Sequence, residues 1–377
     1  MRSPLVLAAV SIVALRGPCD KKDEGANPAA SASATATASA TATVAEKPKE
    51  VPFEEKLKSS TALTIKTAEQ DAAGTKIGAE VCEVEGGPKT SKSGMDVFKS
   101  IRAIGDRIFT VEEDAAVHAY KIEPGAKCKL SVDKTFGEGG VVKLANKIDR
   151  LSADSAGNLW ATNGVFASYK LGKDGKQTAE CTGRPLGYLF VAPSGKTGIG
   201  TFANATVSKV TLSGSGCKTE PWVFQDLSTE GKRKGNLTNA QAVGYVGDTI
   251  FLGGKLTKSA DPNESNVVLA LDASGKEKAR LGKTDKDYST KDRFGWVHAI
   301  GACKPGVCVL DSNYRRITQW KTDGKFVANI DLSALLGLKY PWINDFDRNK
   351  THGYVVAGQE REVKGVYEGN IYRVTGL

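Results

Sequence analysis

Six glycine-containing turns recur along the sequence at intervals of about 50 residues, and this repeat limits what the chain can fold into. The turn glycines, which are separated by 50, 41, 59, 49 and 52 residues, are Gly125, Gly175, Gly216, Gly275, Gly324 and Gly376. Runs of alternating apolar residues between the turns predict half-buried strands, and no long stretch has the period of a helix. Six units of this length with several strands each predict an all-β fold, a six-bladed β-propeller with four-stranded blades.

The sixth unit is one strand short in the sequence. Leu377 follows Gly376 directly, at the place where a fourth strand would begin. A sheet without that strand would expose an edge to solvent. We therefore predict that the propeller, 95–377, is closed by a strand from the lead-in segment 61–94, around Glu80 to Glu85.

Blade five carries a motif that resembles an NHL repeat. The residues at that family's turn, third-strand, aromatic and final-turn positions are Asp311, Asn313, Arg316, Ile317, Trp320, Asp323 and Gly324. This match covers about 30 residues, and a weaker sixfold pattern covers roughly 95–377. The resemblance implies the propeller architecture and implies no ligand.

The first 60 residues are typical of an export signal followed by a tether. An apolar run from Leu5 to Leu15 behind Arg2 fits a secretory signal and is too short to span a membrane as a helix. Cys19 lies four residues beyond that run, which resembles the position of the lipid-acceptor cysteine in bacterial lipoproteins, so we assign 1–19 to the signal. A plain signal cleaved near Ala30 is the alternative. Residues 20–60, rich in Ala, Ser and Thr, predict a disordered linker.

Six cysteines remain once Cys19 is set aside. Cys303 and Cys308 flank a short predicted hairpin, where cross-strand neighbours lie within disulfide reach, so we predict a bond between them. An exported chain lies where such pairs oxidise. The pairings Cys82–Cys128 and Cys181–Cys217 are the sequential hypothesis for the other four, among several possible connectivities.

Composition excludes some classes of function. The net charge of +9 is spread without a block of five basic residues, which indicates a solvated surface, and export argues against nucleic acid as a partner. With only three histidines, the sequence argues against a metal enzyme that uses several histidine ligands. The sequence also lacks a GxSxG elbow, an HExxH motif and a Walker loop.

The candidate ligand-binding residues are those that map to the mouth of the channel, where inner strands of the propeller begin. They are Asp149, Arg150, Asn239, Phe294, Trp296, His298, Tyr340, Trp342, Asn344 and Asp345. Trp296 and Trp342 could form a stacking platform for a sugar ring or a peptide. Alternatively, both pack between blades as core residues.

We predict a noncatalytic binding or scaffold protein, a monomer without a cofactor, held by a lipid anchor in the cell envelope and facing the periplasm or cell surface. Its expected partner is an envelope protein or polysaccharide. The alternative is a calcium-dependent, lactonase-like hydrolase of the six-bladed class, which binds the ion through carboxylate and amide oxygens. That resemblance implies Asp149, Asn239, Asn344 and Asp345 as ligands. Blade one lacks the glutamate that this class places there, and Asp96 is the nearest substitute.

The lipid anchor is tested by a Cys19→Ser substitution. If Cys19 carries the lipid, the variant loses its membrane attachment and moves to the soluble fraction, because no other segment is predicted to hold the chain on a membrane. Fractionation of cells that express each form measures this. A variant that stays in the membrane fraction as the unchanged chain does would contradict the assignment.

Overall fold

The computed structural model of the protein describes residues 77–165, 167–182, 187–202, 206–214, 216–222, 237–256, 266–282, 294–361 and 364–377. Cys19, the predicted linker 20–60 and residues 61–76 of the predicted lead-in lie outside these ranges. No helix within them is long and apolar enough to cross a membrane.

Strands β1 to β27 pair into six sheets within the described residues. In chain order they are β1 (Gly78–Val81), β2 (Glu83–Val84), β3 (Lys89–Ser91), β4 (Phe98–Ile104), β5 (Arg107–Glu112), β6 (Val117–Ile122), β7 (Lys129–Val132), β8 (Val141–Val142), β9 (Arg150–Ala153), β10 (Leu159–Thr162), β11 (Ala167–Leu171), β12 (Gln177–Thr182), β13 (Tyr188–Val191), β14 (Thr197–Phe202), β15 (Thr206–Leu212), β16 (Cys217–Pro221), β17 (Leu237–Val246), β18 (Thr249–Leu256), β19 (Asn266–Leu271), β20 (Glu277–Leu281), β21 (Val297–Cys303), β22 (Gly306–Asp311), β23 (Arg316–Trp320), β24 (Phe326–Asp331), β25 (Trp342–Arg348), β26 (Gly353–Glu360) and β27 (Tyr367–Thr375). This is the predicted all-β, six-bladed propeller.

Blades two to five are four-stranded antiparallel sheets in sequence order, β9–β12, β13–β16, β17–β20 and β21–β24. Their core lies between neighbouring sheets, because each sheet buries the apolar side of its alternating strands against the next one. Phe251 of blade four and Val309 of blade five, for example, belong to one buried cluster. The inner strands of blades four and five, β17 and β21, approach each other closely. A Cβ added to Gly244 would lie 2.7 Å from the carbonyl oxygen of Ile300. Glycine at 244 is therefore a packing requirement.

Blade six takes its fourth strand from the N-terminal side of the chain. Strands β25, β26 and β27 are joined by β1, which pairs antiparallel with β27 from Gly78 opposite Thr375 to Val81 opposite Tyr372. The short strand β3 adds to the other end of β27. The predicted closure of the ring is confirmed, although the closing strand starts and ends earlier than Glu80 to Glu85.

The residues after β1 cross from blade six to blade one. Cys82 donates its backbone N–H to the carbonyl oxygen of Ile371 in blade six at 2.8 Å. Strand β2 then runs parallel to β7, the outer strand of blade one, with Glu83 opposite Lys129. One continuous segment therefore holds both sheets at the seam of the ring.

Three disulfides join Cys82 to Cys128, Cys181 to Cys217 and Cys303 to Cys308, as the sequence predicted. The first ties the crossing segment to blade one, next to β7. The second links the outer strands β12 and β16, and so joins blade two to blade three. The third closes the β21–β22 hairpin of blade five. Two of the three bonds therefore connect different parts of the ring, where they limit separation of blades.

A single short helix, α1 (Leu332–Leu336), lies between blades five and six within the described residues. Asp331 caps its first turn by accepting the N–H groups of Ser333 and Ala334, and Gly337 ends it in the left-handed conformation at φ 66°. Leu332 and Leu335 are buried in the same cluster as Ile77, so the helix covers the segment that leads into β1.

Candidate functional site

Six inner strands line the central channel, one from each blade: β4, β9, β13, β17, β21 and β25. The same type of hydrogen bond occurs at three consecutive junctions between blades. In each, a side-chain oxygen on one inner strand accepts a backbone N–H from the inner strand of the next blade. The bonds are Ile101 N–H to Asp345 Oδ2 at 3.1 Å, Leu151 N–H to Ser100 Oγ at 3.1 Å and Val191 N–H to Ser152 Oγ at 2.7 Å. Hydrogen bonds across the channel wall therefore fix the register of blades six, one, two and three.

Asp345 is the most densely bonded of these groups. Its Oδ2 accepts the Ser100 hydroxyl at 2.6 Å and Arg102 Nη1 at 2.9 Å, besides the Ile101 N–H, and the carboxylate is fully buried. Burial alone would lower the pKa of Arg102, but the carboxylates of Asp345 and Asp347 outweigh it and raise that pKa above its usual value. Arg102 is therefore a permanent cation held by this junction.

Asp347 repeats the contact one step further along β25. Its Oδ2 accepts the backbone N–H of Ala103 at 2.9 Å. Since Asp345 contacts Ile101 and Asp347 contacts Ala103, β25 and β4 run in the same direction, and their first residues share one face of the ring. Burial raises the pKa of Asp347, against the opposing effect of Arg102.

Arg150 extends into the channel from the start of β9. Only 6% of the residue is exposed, and its Nη1 donates to the carbonyl oxygen of His298 at 3.2 Å. The guanidinium lies over the rings of Tyr188 and Phe190, at 5.1 and 5.6 Å from their centroids. Burial lowers the pKa of Arg150, and Asp345 partly compensates.

His298 is on the inner strand of blade five. Burial and the nearby Arg150 cation lower its pKa to about 4, because both disfavour the imidazolium. The imidazole is therefore neutral at physiological pH. A general base works best when its pKa lies near the working pH, so His298 is poorly matched to that role.

A cavity of about 230 Å³ occupies the channel beside these groups. Its lining includes three guanidinium groups and two carboxylates, together with apolar residues of blades two to six. The charged lining residues are Arg102, Arg150, Arg348, Asp345 and Asp347, and the apolar ones include Val243, Ile300 and Phe346. The cavity extends from the level of Arg150 to the ends of the inner strands, where Ala302 and Arg348 lie.

Three large apolar side chains are exposed at the opposite face, where inner strands begin. Met95, Tyr340 and Trp342, which we name the apolar rim, are 56%, 55% and 46% exposed. The indole of Trp342 lies on the backbone of Gly94, where an added Cβ would come within 2.2 Å of its Cδ1. Arg315 lies over the Tyr340 ring, 5.3 Å from its centroid.

The structure places the remaining candidates apart from one another. Phe294 is buried against Trp320, with ring centroids 5.6 Å apart, and belongs to the core between blades four and five. Trp296 is half-buried, and its backbone N–H donates to Asp311 at 3.1 Å. Asp149, just before β9, forms an ion pair with Lys99 at 3.3 Å. Asn239 lies on β17, and its side chain is outside the described part of the chain.

Asn344 is a structural residue. Its buried amide nitrogen donates to the backbone carbonyl oxygens of Phe98 at 2.6 Å, Met95 at 3.1 Å and Gly94 at 3.3 Å. These bonds tie the start of β25 to the segment that leads into β4. The side chain thereby supports the apolar rim from beneath.

The described residues of the hypothetical calcium set do not fit a calcium ion. The Asp345 carboxylate already accepts four donors, one of which is the Arg102 cation. Asp149 pairs with Lys99, and the Asn344 amide nitrogen is directed at backbone carbonyl oxygens. A cation beside a guanidinium is electrostatically unfavourable. Among the residues that the structure describes, no group of three or more His, Cys, Asp or Glu is placed to hold a metal.

The sequence-based prediction missed Arg102, Asp347, Arg348 and Tyr188, all of which lie on inner strands. Arg102 stands between Ile101 and Ala103 in β4, and a charged residue between apolar strand residues is rarely buried unless it is paired. That signal could have identified Arg102 before the structure was known, whereas β25 carries several polar residues and offers no such signal for Asp347.

No protein-family model matches the sequence. No curated protein matches it either. Several solved structures resemble the chain in shape. The Cps50 (Swd1) β-propeller domain of Myceliophteria thermophila is 12% identical over 75% of this chain and 98% of its own, with a TM-score of 0.43.

Two other structures are similar to the same extent. A catalytically inactive virginiamycin B lyase from Staphylococcus aureus, solved with quinupristin, is 11% identical over 80% of this chain and 100% of its own, with a TM-score of 0.47. BamB from Moraxella catarrhalis is 10% identical over 73% of this chain and 83% of its own, with a TM-score of 0.38. Likenesses this distant carry no inference about the activity of the chain.

Asp345 should contribute far more to stability than Asp149. An Asp345→Ala variant leaves the Ile101 N–H and the Arg102 cation without their acceptor, which should lower the free energy of unfolding by about 3–5 kcal/mol. Asp149→Ala removes a more exposed ion pair, and should cost less than about 1 kcal/mol. Chemical denaturation of both variants measures the difference. Equally small losses would contradict the role given to Asp345.

Proposed function

We propose that the chain is an exported, noncatalytic binding protein of the cell envelope. In this proposal the apolar rim, formed by Met95, Tyr340 and Trp342, contacts an envelope protein or polysaccharide. The exposure of these three side chains on one face of the ring is the observation that carries the proposal.

Clustering distinguishes the apolar rim from ordinary surface residues. Five large hydrophobic residues are exposed in the described part of the chain, namely Val81, Met95, Val165, Tyr340 and Trp342. Three of the five lie where β4 and β25 begin, on adjoining blades. Single exposed hydrophobic residues need no explanation, whereas a group with Trp and Tyr is typical of a binding surface.

Basic groups flank the apolar rim and indicate the chemistry of its partner. The Arg315 guanidinium lies over one side of Tyr340, and Lys339 Nζ is 5.9 Å from the centroid of the same ring. Lys99, on β4, pairs with both Asp149 and Asp96, so the basic groups beside the apolar rim are chiefly Arg315 and Lys339. A partner that combines anionic and apolar groups would suit such a surface.

The chemistry of the channel supports binding over catalysis. The Asp345 carboxylate is committed to donors in blade one, and the pKa of His298 is about 4. Neither group is therefore poised as a base at neutral pH. The calcium-dependent hydrolase gains no support from the contacts of Asp149, Asn344 and Asp345.

Three disulfides support a location outside the cytoplasm, because such bonds persist mainly in oxidising compartments. We extend this to a lipid anchor at Cys19 with the linker 20–60 as tether, and to a monomeric state. The NHL type of blade five belongs to the same proposal. Its support is the buried Asp311–Arg316 pair at 3.3 Å, in which Asp311 also accepts the Gly295 N–H at 3.0 Å.

Substitutions in the apolar rim test this proposal. Trp342→Ala should weaken binding of the purified chain to isolated envelopes by about thirtyfold, because a central aromatic anchor is worth about 2 kcal/mol or more. Val81→Ala, at an exposed valine on the outer strand of blade six, is the matched control and should bind as the unchanged chain does. Binding isotherms measure both.

Two outcomes separate the partner classes, and a third contradicts the proposal. Loss of binding after protease treatment of the envelopes identifies a protein partner, and loss after treatment with a polysaccharide-cleaving enzyme identifies a glycan. If Trp342→Ala and Val81→Ala bind alike, the apolar rim is not the binding surface.

A further inference from the structure

Arg150 differs from the other deeply buried arginines of the described chain. Three arginines are more than nine-tenths buried: Arg150, Arg316 and Arg373. Arg316 forms an ion pair with Asp311, and Arg373 forms one with Glu80. No described carboxylate lies within ion-pair distance of Arg150. Burying a cation without a carboxylate partner costs folding free energy. The position of Arg150 therefore requires an explanation.

The donors of Arg150 are mostly unused. A guanidinium carries five N–H donors, and the one described hydrogen bond of this group runs from Nη1 to the His298 carbonyl oxygen. The rings of Tyr188 and Phe190 support the guanidinium plane. The residue lines the channel cavity of about 230 Å³. The arrangement is therefore a positioned donor group that faces a partly open cavity.

We propose that the channel cavity binds the carboxylate of a small organic monoanion, with Arg150 as its partner. A guanidinium binds a carboxylate through two parallel N–H···O bonds, and it does so most strongly where water is largely excluded. Arg150 is the buried group available for this role, because Arg102 is already engaged by Asp345. Arg348, the third guanidinium of the cavity, is only half-buried at the end of β25 and donates to the backbone carbonyl oxygen of Asn349.

The cavity wall selects the kind of anion. Asp345 and Asp347 line the same cavity as the arginines, so a dianion such as phosphate meets more repulsion than a monoanion does. Val243, Ile300 and Phe346 also line the cavity, and they suit a short hydrocarbon body. The ligand class is thus a small monocarboxylate with an apolar chain.

This site is independent of the proposed function. None of the three apolar-rim residues lines the cavity, which extends from the level of Arg150 away from the apolar rim to Ala302 and Arg348. Either site can therefore fail its test without affecting the result for the other.

Calorimetric titration of the full chain with butyrate, butyramide and inorganic phosphate tests the proposal. Butyramide has the size of butyrate without its charge, and should bind at least about tenfold more weakly. Phosphate should bind more weakly than butyrate. Tighter binding of phosphate, or equal binding of butyramide, would overturn the assignment to a monocarboxylate.

Two variants with the same loss of charge locate the site. Arg150→Met should weaken butyrate binding by at least about tenfold. Arg280→Met, on the outer strand β20 where the arginine pairs with Glu277 at 2.8 Å, should leave the affinity within about twofold, since charge outside the cavity is screened. Absence of butyrate binding to the unchanged chain, or equal binding to Arg150→Met, would overturn the proposal.

A second measurement does not depend on the folding of the methionine variant. Arg150→Lys keeps the cation but lacks the planar pair of donors, and should bind butyrate several times more weakly than the unchanged chain. In the unchanged chain, butyrate should shift the NMR signal of the Arg150 Nε–H and leave that of Arg280 in place. A spectrum in which the Arg150 signal does not move at saturating butyrate would overturn the proposal.

Discussion

The Asp345 carboxylate holds blade six against blade one, at the point where a chain of six sheets has to close on itself. It accepts a hydroxyl, a backbone N–H and a guanidinium N–H from three consecutive residues of β4, Ser100 to Arg102. The Ser100 hydroxyl in turn accepts the Leu151 N–H of blade two. One buried carboxylate therefore begins a series of hydrogen bonds that aligns the inner strands around the channel. The same carboxylate forms an ion pair with Arg102.

The outer seam of the ring is closed by different means. Strand β1 completes blade six, β2 joins blade one, and the Cys82–Cys128 bond lies between those two pairings. Glu80 adds an ion pair with Arg373 of blade six and accepts the Cys128 N–H at 3.1 Å. The ring is therefore closed by side-chain hydrogen bonds next to the channel. At its outer edge it is closed by backbone pairing and a disulfide.

The architecture was accessible from the sequence because it depends on repetition. Turn glycines at similar spacing predicted six blades, and the strand missing after Gly376 predicted closure from the N-terminal side. The hairpin pair Cys303–Cys308 followed from local geometry. The exact extent of β1 could not be predicted, because its partner β27 sets the register from nearly 300 residues away.

The candidate site was less accessible, because four inner strands, β4, β17, β21 and β25, have irregular pairing near their starts. In β4, β21 and β25 a single extra residue interrupts the pairing, namely Lys99, His298 and Asn344. An extra residue shifts the alternation of side chains, so Ile343 and Phe346 share a buried cluster while Asp345 faces the channel wall. Strict alternation read from the sequence assigns such residues to the wrong faces. Phe294 and Asn344, which map to the starts of inner strands, were expected at the channel mouth, whereas Phe294 packs in the core and the Asn344 amide nitrogen is bonded to backbone carbonyl oxygens.

Hydrogen exchange at the Ile101 amide tests the central claim most directly. This N–H points to Asp345 across the junction of blades six and one, and no strand of its own sheet accepts it. If the carboxylate closes the ring, the Ile101 amide exchanges as slowly as that of Val355 in the middle of blade six, because both require the ring to open. Exchange of Ile101 as fast as that of an exposed turn amide such as Lys134, with Val355 still protected, would contradict the account.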